Sequence, residues 1–172
     1  MEREQKNTFF LIHPQSPIPL EEREKFKGLD YYPLNSDYRF KLKLREHPKK
    51  ERIKMSYTKG EEQGLIRWGE FRFKIGGQEL VLQAYKSNPD EDRLFVPFRD
   101  ATSGTETYGA GRYLDLETER DCTSDGKWIL DFNKAYSPWC AYSENYTCPL
   151  VPLENWLKVP IHAGEKKNPL KK

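Results

Sequence analysis

Apolar and polar residues alternate along the middle of the chain, beginning at Tyr38. From residue 38 to 45 every second residue is apolar, and the residues between them are Arg or Lys. A period of two is typical of a β-strand with one buried and one exposed face. The same analysis predicts strands over residues 38–45, 52–57, 64–68, 70–75, 79–85, 93–98, 107–116 and 127–132.

The segments between these strands carry the residues that tight turns require. Gly-Gly at 76–77 predicts a two-residue hairpin, because both positions tolerate a positive φ. Asn-Pro-Asp at 88–90 and Asp-Gly at 125–126 are also turn sequences. About eight closely spaced strands with almost no helix predict an all-β, mainly antiparallel fold, either a single barrel or a strongly bent sandwich.

The two ends of the chain lack the alternation. Residues 1–19 contain Pro14, Pro17 and Pro19, and proline fixes φ and removes donors, so we expect an extended arm there. A short helix follows, with acidic residues at its start and Gly28 to close it. We therefore expect a single β domain over residues 20–165 and a frayed, basic tail over residues 166–172.

The pattern dissolves again after Phe132. Residues 133–160 contain four prolines, and they also contain several Trp and Tyr residues, among them Trp139 and Trp156. A disordered linker is poor in aromatic residues, so this segment is predicted to be an ordered loop packed over the sheet or across a barrel mouth. Long ordered loops are often functional.

Composition narrows the class of protein. Only 36% of the 172 residues are hydrophobic and the mean hydropathy is −0.92, yet 4 Trp, 10 Tyr and 9 Phe argue against disorder. No apolar run is long enough to span a membrane, and the charged start has no signal-peptide core, so a cytoplasmic location is expected. The 29 Lys and Arg nearly balance the 27 Asp and Glu, so a nucleic-acid partner is not favoured.

The densest polar segment is residues 98–113, which holds two arginines, two carboxylates, several hydroxyls and three glycines. Arginine forks suit carboxylate or phosphate, and glycine lets backbone amides approach a ligand, so a small anionic ligand is one interpretation. The alternative is structural: Arg99 would pair with Asp100 or Glu106, while the glycines would serve turns and bulges. No phosphate-binding loop motif is present and no cofactor is predicted.

This segment, residues 28–33 (Gly-Leu-Asp-Tyr-Tyr-Pro) and residues 130–156 together resemble the prokaryotic domain-of-unknown-function family 1684. Three long blocks match in order between about Phe26 and Lys166, and the chain resembles the carboxy-terminal portion of that family. The resemblance implies a shared fold and site but no established activity. The positions to which it points are Arg99, Asp100, Thr102, Ser103, Gly104, Tyr108, Gly111, Arg112, Asp131, Asn133, Tyr136, Cys140, Cys148, Glu154 and Asn155.

The leading prediction is therefore a polar pocket between the Arg99–Arg112 segment and the 133–160 loop that binds a small, anionic ligand. Arg99 and Arg112 would contact the negative group, and the other candidate ligand-binding residues are Thr102, Ser103, Tyr108, Asn133, Tyr136, Trp139, Tyr142 and Asn155. One alternative is a hydrolase or lyase that uses Asp100, Glu106, Asp131 or Glu154 for proton transfer. Another is a nucleic-acid interaction module on the strands of residues 39–54, which hold eight basic residues against two acidic ones.

The cysteines leave several options open. Cys140 and Cys148 lie eight positions apart, so a disulfide is sterically conceivable, but without an export signal reduced, buried thiols are the default expectation. A metal site is not predicted, since the only nearby histidine is His162 and structural zinc commonly uses closely spaced ligand pairs. A Cys140, Cys148 and His162 site with one carboxylate is the metal alternative.

Overall fold

The structure is a computed structural model that describes residues 3–171; Met1, Glu2 and Lys172 lie outside the described residues. Within that range the chain forms seven strands and two short α-helices. The expectations that fall on the three end residues outside that range, including the last residue of the basic tail, stay predictions. The elements in chain order are α1 (Arg3–Ile12), β1 (Arg39–Leu42), β2 (Arg45–Ser56), β3 (Glu62–Ile75), β4 (Gln78–Lys86), β5 (Arg93–Phe98), β6 (Arg112–Glu117), α2 (Thr118–Asp121) and β7 (Trp128–Asp131).

The strands form two open sheets. Five strands pair in the order β2-β3-β4-β5-β6, and every neighbouring pair is antiparallel. β1 and β7 form a separate antiparallel pair from Arg39 with Asp131 to Leu42 with Trp128. The mainly antiparallel prediction is confirmed and the barrel is wrong, because the outer strands β2 and β6 do not pair with each other. Alternation shows which face of a strand is buried but does not specify its partner.

β3 is one long strand where the sequence predicted two, which is one reason that seven strands replace the expected eight. The pairing of β3 with β4 shifts between Arg67 and Gly69, so Trp68 is an extra residue in a β-bulge. Gly69 is required here, because a Cβ at this position would lie 2.8 Å from the carbonyl oxygen of Arg45 on β2. The predicted Gly-Gly hairpin between β3 and β4 is confirmed, with φ of 57° and 78°.

The main core lies between the two sheets. One face of the five-stranded sheet packs against β1, β7 and the chain segment of residues 157–163. Phe132, at the end of β7, is central to it, because its ring contacts Phe40, Phe73 and Phe98. The other face of the five-stranded sheet is therefore left for the 133–160 loop to cover.

The extended arm predicted for residues 1–19 is corrected by the structure, since α1 occupies Arg3–Ile12. The first proline is Pro14, so the ten residues of α1 are free of it. Phe10 is buried against Phe26 and Tyr142, and this packing stabilises a helix that would be marginal alone. The helix predicted after Pro19 is a 3-10 helix over Leu20–Lys25.

The carboxy-terminal tail is also packed rather than frayed up to the last described residue. Asn168 is buried and donates to the carbonyl oxygen of Ala141, 3.2 Å away, while Leu170 packs on the apolar cluster around α1. The 133–160 loop is ordered by short 3-10 turns and by buried side chains such as Tyr142 and Val151. No helix among residues 3–171 is both long enough and apolar enough to cross a membrane.

Candidate functional site

The loop between β5 and β6 is held together by its own hydroxyl groups. The Asp100 carboxylate accepts from the hydroxyls of Thr102, at 2.9 and 3.0 Å, and of Ser103, at 3.2 Å. It also accepts from the backbone N–H of Ile161 at 2.6 Å. The Thr102 carbonyl then accepts from three backbone N–H groups of residues 105–107. Thr102 and Ser103, predicted to bind the ligand, therefore serve to shape the loop.

Arg112 is completely buried and its guanidinium is used by the protein itself. Its terminal nitrogens donate to the carbonyl oxygens of Ile161, Ala163 and Glu165 at 2.5–3.1 Å, and it pairs with Asp100 at 3.6 Å. Burial lowers the pKa of Arg112, and the charge of Asp100 opposes this. The predicted contact between Arg112 and an anionic ligand has no geometric support, because its charge is matched inside the core.

Arg99 lies on a different surface. Its guanidinium carbon lies 4.1 Å from the centroid of the Trp156 ring, and it has no ion pair with any residue of the described range. Trp156 is 45% exposed. The backbone of Arg99 bonds to the carbonyl of Asn155 and the N–H of Leu157, which ties the loop to the end of β5. The structure therefore does not bring Arg99 and Arg112 to one pocket.

Asn155 is fully buried and fills a gap between two strands. β4 and β5 pair only at Tyr85 and Phe95. Beyond that point the Asn155 side chain accepts from the N–H of Gln83 at 2.8 Å and donates to the carbonyls of Gln83 at 2.9 Å and Pro97 at 2.7 Å. The amide thus completes the sheet, and none of its polar atoms points to a ligand.

The remaining predicted ligand-binding residues are dispersed. Tyr142 and Tyr108 pack with the apolar cluster around α1, Trp139 lies against Phe9 and Tyr146, and Asn133 bonds to Asn35 and Asp131. Only Tyr136 of the predicted set lines a cleft described below. Polar residues that lie close together along the sequence therefore do not lie on one surface of the folded protein.

The four candidate catalytic carboxylates are each held by different partners. Asp100 is used as described, Glu106 pairs with His162 at 3.5 Å, Asp131 pairs with Arg39 at 3.9 Å, and Glu154 accepts from Tyr85 and from Arg67, the latter at 3.1 and 3.2 Å. The structure therefore does not support the prediction that two of these carboxylates act together as general acid and base.

Cys140 and Cys148 are joined in a disulfide, and Cys122 is a free thiol. The metal alternative is corrected by this bond, since neither sulfur is a thiolate and His162 pairs with Glu106. No group of three or more His, Cys, Asp or Glu side chains within residues 3–171 is arranged to hold a metal ion.

The basic strands are partly neutralised. Four of their cations pair with carboxylates: Arg39 with Asp131, Lys41 with Asp125, Lys50 with Glu46 and Lys54 with Glu62. Such surface pairs contribute little stability, but they reduce the charge available for phosphate contacts.

A cleft of about 240 Å³ opens on the outer face of the five-stranded sheet, where the 133–160 loop crosses it. We call it the tyrosine cleft. Leu94 and Val96 on β5 and Leu114 and Leu116 on β6 face the main core, so the residues between them face this side. Its lining residues are Tyr57, Gln63, Leu65, Ser87, Arg93, Phe95, Tyr113, Asp115, Tyr136 and Pro149.

Aromatic rings form adjoining walls of the tyrosine cleft. The rings of Phe95 and Tyr113 lie 4.9 Å apart at 74°, and those of Tyr113 and Tyr136 lie 5.8 Å apart at 89°. Tyr113 and Tyr136 also pair through their backbones at 2.9 and 3.1 Å. This bridge joins the loop to β6 one residue after Arg112, so the walls are positioned by a sheet.

The polar groups of the cleft are linked to one another. The Asp115 carboxylate accepts from the hydroxyl of Tyr136 and from the Arg93 guanidinium at 3.2 Å. Tyr57 donates to Gln63, and Tyr113 donates to the carbonyl of Pro149. Burial is the largest cause that raises the pKa of Tyr57, Tyr113 and Tyr136, so these phenols stay protonated donors at neutral pH.

Sequence reasoning missed most residues of this cleft, but a signal for it was present. Leu94, Phe95 and Val96 are consecutive large apolar residues, and Tyr113 is followed directly by Leu114. When both faces of a strand carry large apolar side chains, both faces must be covered. That pattern could have directed attention to Phe95 and Tyr113, the outward residues of β5 and β6.

The fold and the cleft define a mainly antiparallel β protein with a small aromatic-walled cleft under a long loop. The chain belongs to the family described as Protein of unknown function (DUF1684), whose model matches residues 24–166. It is similar to an uncharacterised protein of Haloarcula marismortui, known from a solution NMR structure, at 40% sequence identity. That likeness covers 96% of this chain and 90% of that chain, with a TM-score of 0.74. No curated protein matches the chain.

Proposed function

We propose that the protein binds a small ligand in the tyrosine cleft. The observation that carries this proposal is the convergence of Phe95, Tyr113 and Tyr136 with the Arg93–Asp115 pair in one opening of about 240 Å³. Ligand sites usually combine apolar or aromatic walls with a few polar groups that orient the ligand. The volume lies below the usual ~300–1,000 Å³ of ligand sites, which favours a ligand of few atoms.

The proposal keeps the predicted position under the 133–160 loop and changes the residues. Arg112 is matched in the core and Arg99 stacks on Trp156, so neither supports an anionic ligand at this place. The cleft is instead lined by one cation, Arg93, and one anion, Asp115. No contact in the structure specifically favours an enzyme that uses the four carboxylates or a nucleic-acid module on the basic strands. Both therefore stay alternatives that rest on the sequence.

The test is an NMR titration of the isotope-labelled protein with mixtures of monosaccharides, cyclic polyols, amino acids, organic amines, nucleosides, carboxylates and phosphates. We expect at least one mixture to shift backbone signals of β5, β6 and residues 136 and 149. The same shifts should be lost in Tyr113→Leu, which removes one wall. Matched substitution of Tyr146, whose ring lies outside the cleft, by Leu should leave them unchanged.

Two outcomes would overturn the proposal. One is that every mixture leaves the signals of the cleft unshifted. The other is that the shifts of the binding mixture persist in Tyr113→Leu, or map to a surface away from β5 and β6. If Tyr113→Leu does not fold, Asp115→Asn replaces it, because this change keeps the shape of the side chain and removes its charge.

A further inference from the structure

The charges that line the tyrosine cleft cancel one another. Arg93 and Asp115 lie 3.2 Å apart, and they are the two charged residues among those that line it. Glu91, which does not line the cleft, also pairs with Arg93 at 3.4 Å, so the charge of Arg93 is already matched by carboxylates. An anion placed against Arg93 would lie beside Asp115, whereas a cation placed against Asp115 would lie beside Arg93. Like charges at such short range repel each other even where one of the side chains is half exposed, so this pair favours an uncharged ligand.

The polar groups suit hydroxyls. A hydroxyl group both donates and accepts, whereas a carboxylate only accepts and a guanidinium only donates. Two neighbouring hydroxyls can therefore donate to Asp115 and accept from Arg93 together, without bringing a charge between them. The amide of Gln63 on β3 and the hydroxyl of Ser87, which follows the end of β4, offer further groups of both kinds.

The walls suit a ring with C–H groups on its faces. Phe95, Tyr113 and Tyr136 stand almost perpendicular in succession, so they form a corner rather than a flat platform. The faces of aromatic rings are electron-rich and attract the weakly positive hydrogens of C–H groups. A saturated ring carries such hydrogens on its faces and its hydroxyls at its rim, which matches walls and polar groups together.

We infer that the ligand of the tyrosine cleft is a single uncharged polyhydroxylated ring, either a free monosaccharide or cyclic polyol or the terminal sugar of a longer glycan. This inference rests on the proposed function and adds the ligand class. The juxtaposition that carries it is the Arg93–Asp115 ion pair in the same cleft as the nearly perpendicular rings of Phe95, Tyr113 and Tyr136.

The experiment compares four arms by NMR and calorimetry: neutral monosaccharides and cyclic polyols, short neutral oligosaccharides, small carboxylates and phosphates, and small amines. We expect binding in the cleft from the first or second arm only. Binding in the first arm identifies a free sugar or polyol, and binding in the second arm alone identifies a glycan end. Because the ligand is uncharged, its affinity should not change when salt is raised.

Two variants check the residues. Asp115→Asn and Arg93→Gln each remove one half of the polar pair and should weaken binding of the sugar at least about tenfold, the loss typical of a hydrogen bond to a charged group. Arg72→Gln is the matched control, because Arg72 forms a similar pair with Glu70 on β3 outside the cleft and should bind as the wild type does. Thermal unfolding of each variant confirms that it is folded.

Failure of this inference differs from failure of the proposed function. If carboxylates, phosphates or amines bind in the cleft and sugars do not, the ligand class is wrong and the proposed function stands. If no arm shifts signals of the cleft, both are wrong. Sugar binding that Asp115→Asn and Arg93→Gln leave unchanged also overturns the inference, since the polar pair would then not recognise the ring.

Discussion

The buried Asn155 provides the sharpest test of how this fold is held together. Its amide makes three hydrogen bonds to the backbone where β4 and β5 part, at 2.8 Å from the Gln83 N–H and at 2.9 and 2.7 Å to the carbonyls of Gln83 and Pro97. Asn155→Ala removes all three and leaves these groups buried without partners. We therefore expect a folded but clearly destabilised protein.

The magnitude follows from the number of bonds. Each buried backbone group that loses its partner costs about 1–3 kcal/mol, so three of them predict a loss of at least about 3 kcal/mol in the free energy of unfolding. For a chain of this size each kcal/mol lowers Tm by about 2–4 °C, so the midpoint should fall by about 6–12 °C. Asn155→Asp keeps the shape but replaces the donor by an oxygen that faces two carbonyls, so its loss should be at least as large.

Equilibrium unfolding in urea, with thermal unfolding as a second probe, measures these changes. The exposed Asn145 provides the control, because Asn145→Ala should change stability by less than about 0.5 kcal/mol. The reasoning is refuted if Asn155→Ala costs less than about 1 kcal/mol, the value of one hydrogen bond. It is equally refuted if Asn155→Asp is much milder than Asn155→Ala, since volume and not donation would then be what matters.

Three further predictions concern the buried charges and the disulfide. Arg112→Met leaves the Asp100 carboxylate buried without its cation and should lower the free energy of unfolding, measured in urea, by about 3–5 kcal/mol. Adding Asp100→Asn should regain part of this loss. An Arg112→Met protein as stable as the wild type would contradict the prediction. Burial raises the pKa of Glu165. Between about pH 4.3, where the carboxyl of the unfolded chain loses its proton, and the raised pKa of the folded chain, only the folded chain holds that proton. The free energy of unfolding should therefore fall as pH rises through this interval. Glu165→Gln should remove that fall, and parallel stability–pH curves of the two proteins would refute it. Reducing the disulfide between Cys140 and Cys148, eight positions apart, should lower stability by about 2–3 kcal/mol, whereas equal urea midpoints with and without reductant would show that it adds nothing.

The positions of the strands could be read from the sequence because burial on a sheet has a short period. β5 was predicted at its observed bounds, Arg93–Phe98, and the Gly-Gly turn after β3 was predicted with its hairpin. The helix α1 was missed because its ten residues have only one buried apolar residue, Phe10, and little periodicity. Its stability comes from packing on a distant loop, which no local pattern reveals.

The role of Arg112 could be predicted only in part from the residues around it in the sequence. Its place on β6 shares the parity of Leu114 and Leu116, so alternation already indicated that its side chain faces the core. What satisfies its charge there lies 49 to 53 residues later, in the carbonyls of residues 161–165. A cation in a polar segment looks available for a ligand until these partners are known.

The sequence by itself determined the approximate positions of most strands, the main turn, the ordered loop and the family, because each depends on residue type and short spacing. It did not give all strand bounds, since the predicted strand 107–116 is β6 over Arg112–Glu117 and the predicted strand 38–45 is divided between β1 and β2. The tertiary structure alone decided that the sheets stay open and that Arg112 and Asn155 form hydrogen bonds with buried backbone groups. It also decided that Tyr136 contacts Tyr113 and Asp115 in a cleft. The physical reason is that burial is encoded by period, whereas strand partners and the pairing of polar groups depend on contacts between residues far apart in the chain.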